Sequence, residues 1–358
     1  MEKRVNALRH LMEKEELDAF LVTSPYNLRY LTNFTGTTGL AVITKNNAYF
    51  VTDFRYTEQA SKQCEGYQIV KNTGPIFEEI LPLLKGDGAR SVAFEESHIT
   101  FAEYSQLQDL ISMNGVDLVP VAGMIESLRE VKDQTEIDTI QEACRITDAA
   151  FDHILGFIKP GMTEIQVANE LDFYMRSLGA TSVSFDTIVA SGVRSAMPHG
   201  VASHKEIEQG DFVTIDFGCY YNGYVSDMTR TFSMGEPREQ VLKEIYQIVL
   251  DAHLAVEKAT RPGLTGKELD AVARDYITKH GYGEQFGHST GHGIGLEIHE
   301  APMISMRSDY TLVKGNTITD EPGIYLPGIG GVRIENDMLL TDDGHMTFNK
   351  SPRELIIL

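Results

Sequence analysis

The chain has no tryptophan, only three cysteines among 358 residues, and far fewer basic than acidic side chains, 31 against 52. Most of these shortages remove a class of function. Cys64, Cys144 and Cys219 lie too far apart to form a thiolate metal site, so buried reduced thiols in a cytoplasmic protein are expected. A net charge of −21 argues against a nucleic-acid partner and for solubility. Bound cations would neutralise part of that acid. No stretch reaches the roughly 18 apolar residues of a membrane span, and the charged N-terminus lacks the apolar core of a secretory signal. The missing tryptophan bears on none of this. What remains is 42% hydrophobic and 23% charged, an ordinary globular composition at a length suited to two domains.

Residues 1–122 alternate helix and strand signals. Val5, Leu8, Leu11 and Met12 recur at helical spacing. Ala19–Thr23 is a short apolar run that reads as a buried strand, and Ser24-Pro25 opens a helix. Lys45-Asn46-Asn47 separates two strand-like runs, a hairpin signal, and Thr100 with Glu103 forms a capping box. A small α/β domain is expected here, followed by a linker over 123–134 and a second domain over 135–358. The second domain begins with a long helix from near Thr135 that carries Ile137, Ile140 and Cys144 on one face. It then repeats itself. Lys159-Pro160-Gly161-Met162-Thr163 opens a helix that ends near Gly179. Arg261-Pro262-Gly263-Leu264-Thr265 opens another that ends near Gly281, and the interval is the same at both starts and both stops. A second amphipathic helix (Val241, Ile245, Val249, Ala252) precedes the later copy. The pattern predicts a duplicated α+β domain with a pseudo-twofold axis.

Each half carries a pair of acids on a hairpin. Asn222-Gly223 is a strong two-residue turn signal. It sets position 216 opposite 229, and strand parity puts Asp227 on the same face as Asp216. In the second half Glu321 and Glu335 are equidistant from Gly328, so a turn centred there sets them opposite each other. Like charges facing each other destabilise a sheet, and a cation between them removes the penalty. Histidines 199, 288, 292 and 299 all fall in glycine- or proline-rich segments of this domain. The glycine density around His288 and His292 forbids the helix that an ordinary helical zinc pair needs. The other seven histidines read as surface or core residues.

These segments resemble the metallopeptidases that share the pita-bread fold of methionine aminopeptidase: prolidase, aminopeptidase P and the metal-free creatinase. The resemblance rests on Thr214-Ile-Asp216-Phe-Gly, Ser226-Asp227-Met-Thr-Arg-Thr, Gly291-His292-Gly-Ile-Gly-Leu-Glu-Ile-His299-Glu, Glu321-Pro-Gly-Ile-Tyr and Gly331-Val-Arg-Ile-Glu335. The N-terminal domain is similar to the smaller creatinase-type α/β domain, which favours the prolidase and aminopeptidase P branch. The resemblance implies two divalent ions, Mn²⁺ first with Co²⁺ or Zn²⁺ as alternatives. It assigns Asp216 to one ion, Asp227 and Glu335 to both, and His292 and Glu321 to the second. It makes Glu321 the proton carrier, His199 and His299 donors to the oxyanion, and His288 and Arg333 groups on the substrate side. The implied substrate is a short peptide with proline at its second position, and the implied assembly is a homodimer. Two neighbours of the ligands depart from the family pattern: Asp320 stands where an aliphatic residue is usual, and Asn336 where Asp is common. The rival readings are a metal-free creatinase-like amidinohydrolase and a non-enzymatic peptide-binding module. Either would dispense with part of the quintet of ligands, which is complete.

Overall fold

A six-stranded mixed sheet organises the N-terminal part of the chain. In the computed structural model, which describes residues 2–358, its strands run in the order Gln68–Lys71, Ala48–Thr52, Leu40–Thr44, Ala19–Val22, Ser91–Glu95, Asp117–Val121. The helix Glu2–Lys14 buries Val5, Leu8 and Met12, at the expected spacing. Leu40–Thr44 and Ala48–Thr52 pair antiparallel around the Lys45–Asn47 turn. Thr100 and Glu103 cap each other at the start of Phe101–Ile111. The stretch read as a linker contains a helix, Met124–Arg129, whose Ile125 and Arg129 are buried. The chain divides into two units after Arg129, so this helix belongs to the first.

The second unit, Glu130–Leu358, is built from two similar halves, each with its own core. The first half has helices Gln134–Phe157 and Glu164–Ser177 and a sheet of Ile188–Ser191, Phe212–Phe217 and Met228–Ser233. The second has helices Gln240–Ala259 and Gly266–Lys279 and a sheet in the order Glu300–Ile304, Gly291–Gly293, Thr317–Asp320, Asn336–Leu340, His345–Thr347. The duplication read in the sequence is present at both ends of the second helix of each half. Thr163 with Gln166 and Thr265 with Glu268 form matching capping boxes. Past the C-termini, Gly179 and Gly281 have φ of 106° and 89°, a left-handed conformation that only glycine adopts at no steric cost.

The two hairpins have the expected registers. Tyr221 faces Tyr224 across Asn222 and Gly223, and Thr229 faces Asp216. In the second half Gly323 pairs with Arg333 and Asp320 with Asn336, so Glu321 and Glu335 stand opposite each other between these pairs. The ladder is interrupted at those two residues. Glu321 donates its backbone N–H to Thr290 O at 2.8 Å, and Glu335 donates its own to Thr229 O at 3.1 Å. The first bond ties the ribbon to the histidine strand. The second ties it to the aspartate hairpin of the other half.

Candidate metal centre

Thr229 is the joint between the halves. Its hydroxyl donates to Glu335 Oε2 at 2.6 Å while its carbonyl accepts the Glu335 N–H. One residue later, Arg230 donates to the carbonyl of Glu335 at 2.5 Å. In return, Asp337 in the second half accepts the backbone N–H of Asp227 at 2.8 Å. A Cys144 thiol on the long helix donates to the same Asp337 oxygen at 3.2 Å. These reciprocal bonds bring two acids of one hairpin to two acids of the other.

The five side chains expected as ligands, Asp216, Asp227, His292, Glu321 and Glu335, all line one cavity of about 410 Å³. His199, His288, His299 and Arg333 line it too, so all nine candidate residues converge. Ligand atoms of Asp227, His292 and Glu335 lie within 4.8 Å of one another. His292 Nε2 is 3.5 Å from Glu321 Oε1 and 3.7 Å from Asp227 Oδ2. Its Nδ1 is 3.1 Å from the carbonyl of Gly293, which can only accept, so Nδ1 carries the proton and the Nε2 lone pair faces the acids. The backbone leaves this ring little choice of position. A Cβ on Gly291 would meet Thr319 O at 2.1 Å, and one on Gly293 would meet Ala301 O at 2.4 Å.

The electrostatics of the cavity suit a cation. Among the described residues, Oδ1 of Asp216 and Oδ1 of Asp227 are buried without a hydrogen-bond partner, a costly state for a carboxylate. Burial, then the neighbouring carboxylates, push the carboxyl groups of Asp227 and Glu335 far above their ordinary range. Burial raises Glu321 to about 8, Arg333 opposing and Asp216 assisting. Burial lowers His292 and His288 to about 4 each and lowers His299 as well, so these rings are neutral near pH 7. Hard oxygen donors with one imidazole suit a divalent cation, and the residues present fit one.

Each of the three guanidinium nitrogens of Arg333 donates within the protein. It donates to Asp216 Oδ2 at 2.6 Å, to Thr229 Oγ1 at 3.1 Å and to the Tyr325 hydroxyl at 2.7 Å. Tyr325 in turn lies 2.9 Å from His288 Nε2. Neither Tyr325 nor Asp337 was marked by the sequence, since each acts through a tertiary contact.

Two buried acids hold the loops that carry the cleft histidines. Glu164, fully buried, accepts from Ser191, Arg194 and Ser203, which bracket His199. Asp270 accepts from Arg274 and Thr290, and Arg274 also donates to the carbonyl of His288 at 2.8 Å. Glu164→Ala strands those donors, so a loss of about 3 kcal/mol in unfolding free energy is expected from urea titration.

Comparison with known proteins agrees with this construction. The family model "Metallopeptidase family M24" matches residues 138–342, and "Creatinase/Prolidase N-terminal domain" matches residues 4–131. An uncharacterised peptidase, YqhT, of Bacillus subtilis is 52% identical over 99% of this chain and 100% of its own. The Xaa-Pro dipeptidase of Pyrococcus furiosus is 39% identical over 99% of this chain and 100% of its own. The solved structure of an Xaa-Pro dipeptidase from Bacillus anthracis superposes with a TM-score of 0.97 at 54% identity, covering 100% of this chain and 99% of that one. With an acid-rich cleft at the joint of a duplicated domain and an α/β unit before it, the chain belongs to metallopeptidase family M24, a divalent-metal peptidase of pita-bread fold behind a creatinase/prolidase N-terminal domain.

Proposed function

We propose that this chain is an Xaa-Pro dipeptidase that hydrolyses the bond between an N-terminal residue and proline. The observation that carries the reading is the convergence of Asp216, Asp227, His292, Glu321 and Glu335 on one cavity, with carboxylate oxygens of Asp216 and Asp227 buried and unpartnered among the described residues. These five would hold two divalent ions, Mn²⁺ by donor type. Five carboxylates, those of the four acids and Asp186, line the cavity with a single arginine, and the charge left over exceeds what one divalent ion balances. When bound, the ions supply a Lewis acid for the scissile carbonyl and a water of lowered pKa.

The chain's own groups do the rest. Glu321 takes a proton from the attacking water and delivers it to the leaving proline nitrogen, as a carboxylate that lines the cavity beside the other acids can. His299 and His199 line the same wall and donate N–H to the oxygen that gains charge. Arg333 holds Asp216 in place and, through Tyr325, orients His288. Phe185, Ile188, Pro198 and Met303 give the cavity an apolar side that suits the proline ring.

The proposed setting is a cytoplasmic homodimer. The three free, buried cysteines support a reducing compartment, and light scattering on the purified chain tests the dimer. The deciding assay compares Xaa-Pro with Xaa-Pro-Xaa peptides in Mn²⁺. Cleavage of the dipeptide with kcat/KM at least about tenfold above the tripeptide is expected, a gap of ~1.4 kcal/mol in transition-state binding. Equal or faster tripeptide cleavage makes the chain an Xaa-Pro aminopeptidase instead. No cleavage of either peptide, or no metal in the purified protein, removes the reading.

A further inference from the structure

Asp320 and Asn336 each adjoin a candidate glutamate ligand, and they face each other across the ladder between Thr317–Asp320 and Asn336–Leu340. Both are buried. The side chain that meets them is His253, fully buried on the helix Gln240–Ala259, a residue outside the cleft and outside the mechanism above.

The directions of the hydrogen bonds can be read from the groups that have no choice. Arg230 only donates, and its Nη2 lies 2.8 Å from Asn336 Oδ1. The Asn336 amide therefore turns its NH₂ the other way. That nitrogen is 3.2 Å from His253 Nε2 and 3.1 Å from Glu257 Oε1, one hydrogen for each. His253 Nε2 is then an acceptor, and the ring's hydrogen sits on Nδ1. Nδ1 lies 3.1 Å from Asp320 Oδ2. The contact lies off hydrogen-bond geometry, and neither Nδ1 nor either Asp320 oxygen has another partner among the described residues, so the imidazole and the carboxylate face each other alone. The other end of the relay reaches a ligand directly, because Arg230 also holds the carbonyl of Glu335.

We propose that His253 is a positioning residue for the metal centre. It closes a relay that runs from the Glu335 backbone through Arg230, Asn336 and His253 to Asp320, and so fixes the two strands that present Glu335 and Glu321. The relay needs a donor on one side of the ring and an acceptor on the other. It therefore needs an amide at position 336: a carboxylate there would lose the donor and face Glu257. This inference rests on the assignment of Glu321 and Glu335 as ligands.

The test titrates chelator-treated full-length protein with MnCl₂ by calorimetry, with thermal unfolding recorded alongside. His253→Leu is expected to weaken Mn²⁺ binding about tenfold or more, as the loss of a group that orients ligands does. His253→Gln, which offers an amide oxygen to Asn336 and an amide N–H to Asp320, is expected to bind close to the parent value. A purely structural role would lower the unfolding temperature of His253→Leu and leave its Mn²⁺ affinity unchanged, and that result overturns the proposal. Equal weakening in the Leu and Gln variants overturns it too. Where His253→Leu does not fold, Asn336→Asp stands in: near-equal volume, weaker binding expected, unchanged affinity fatal to the relay. Failure of the parent itself to bind Mn²⁺ would remove the metal reading along with the relay, whereas a parent that binds beside indifferent variants removes the relay alone.

Discussion

Glu321→Gln is expected to lower kcat on an Xaa-Pro dipeptide by about 10²–10⁴-fold at saturating Mn²⁺, the usual worth of a positioned proton carrier. The amide keeps the size of the side chain and loses both its charge and its proton. It also removes one member of a crowded acidic set, so the metal-free variant is expected to unfold at the same or a higher temperature than the parent above pH 8. Burial raises the Glu321 carboxyl to about 8, with Asp216 adding to the rise, so ionising it in the absence of a cation costs folding free energy. Lost turnover with retained or improved stability separates a chemical role from a scaffolding one. A variant that kept a tenth of parental kcat would leave the proton without this carrier.

Chelation is expected to have the second large effect, and the effect should grow with pH. In the metal-free fold Glu321 keeps its proton up to about 8, while an unfolded chain releases it near the ordinary value of 4.5. Between those limits the folded state binds more protons than the unfolded state, so the stability of the metal-free protein falls as pH rises. Asp227 and Glu335, also raised by burial, push in the same direction. A divalent ion binds the deprotonated acids, so its affinity rises over the same range and protons are released on binding. At a free Mn²⁺ concentration of about 1,000 times Kd the stabilisation is roughly 4 kcal/mol. For a unit of this size that is a rise in Tm of about 8–16 °C. The Mn²⁺-induced rise should be largest near pH 8 and shrink towards pH 6. A rise that is flat or inverted over that interval would show that these carboxyl groups do not compete with the metal for protons.

Much of the catalytic unit is legible in the sequence because its signals are local. Asn222-Gly223 fixes one hairpin, and strand parity then puts Asp216 and Asp227 on one face. The symmetric placement of Glu321 and Glu335 about Gly328 fixes the other. The capping boxes at Thr163 and Thr265 give both ends of the duplication. What escaped is what depends on packing between distant elements. The pairing of Arg333 with Asp216 crosses from one half to the other, as does the Asp337 carboxylate under Asp227. Neither has a spacing rule. His253 is different. It shares a helix face with Val249 and Val256, all fully buried, so the periodicity already placed an imidazole in the core. Its burial fits the reading of a surface or core residue, and only the tertiary contacts with Asn336 and Asp320 mark it further. The linker expectation ended at the helix Met124–Arg129, because six residues with one strongly buried apolar side chain give too little pattern to distinguish a short helix from a connector.

The tight backbone on either side of His292 bears on ion exchange. A strand with no room for a methyl group at either neighbour cannot slide or tilt without colliding with the main chain beside it. Its imidazole is therefore the stiff post of the site, while carboxylates can bind through one oxygen or two and swing to suit. With the five proposed ligands in place, exchange of one cation for a smaller or larger one would be absorbed by the acids alone. Selectivity among metals would then depend on how far four carboxylates can travel around one fixed nitrogen.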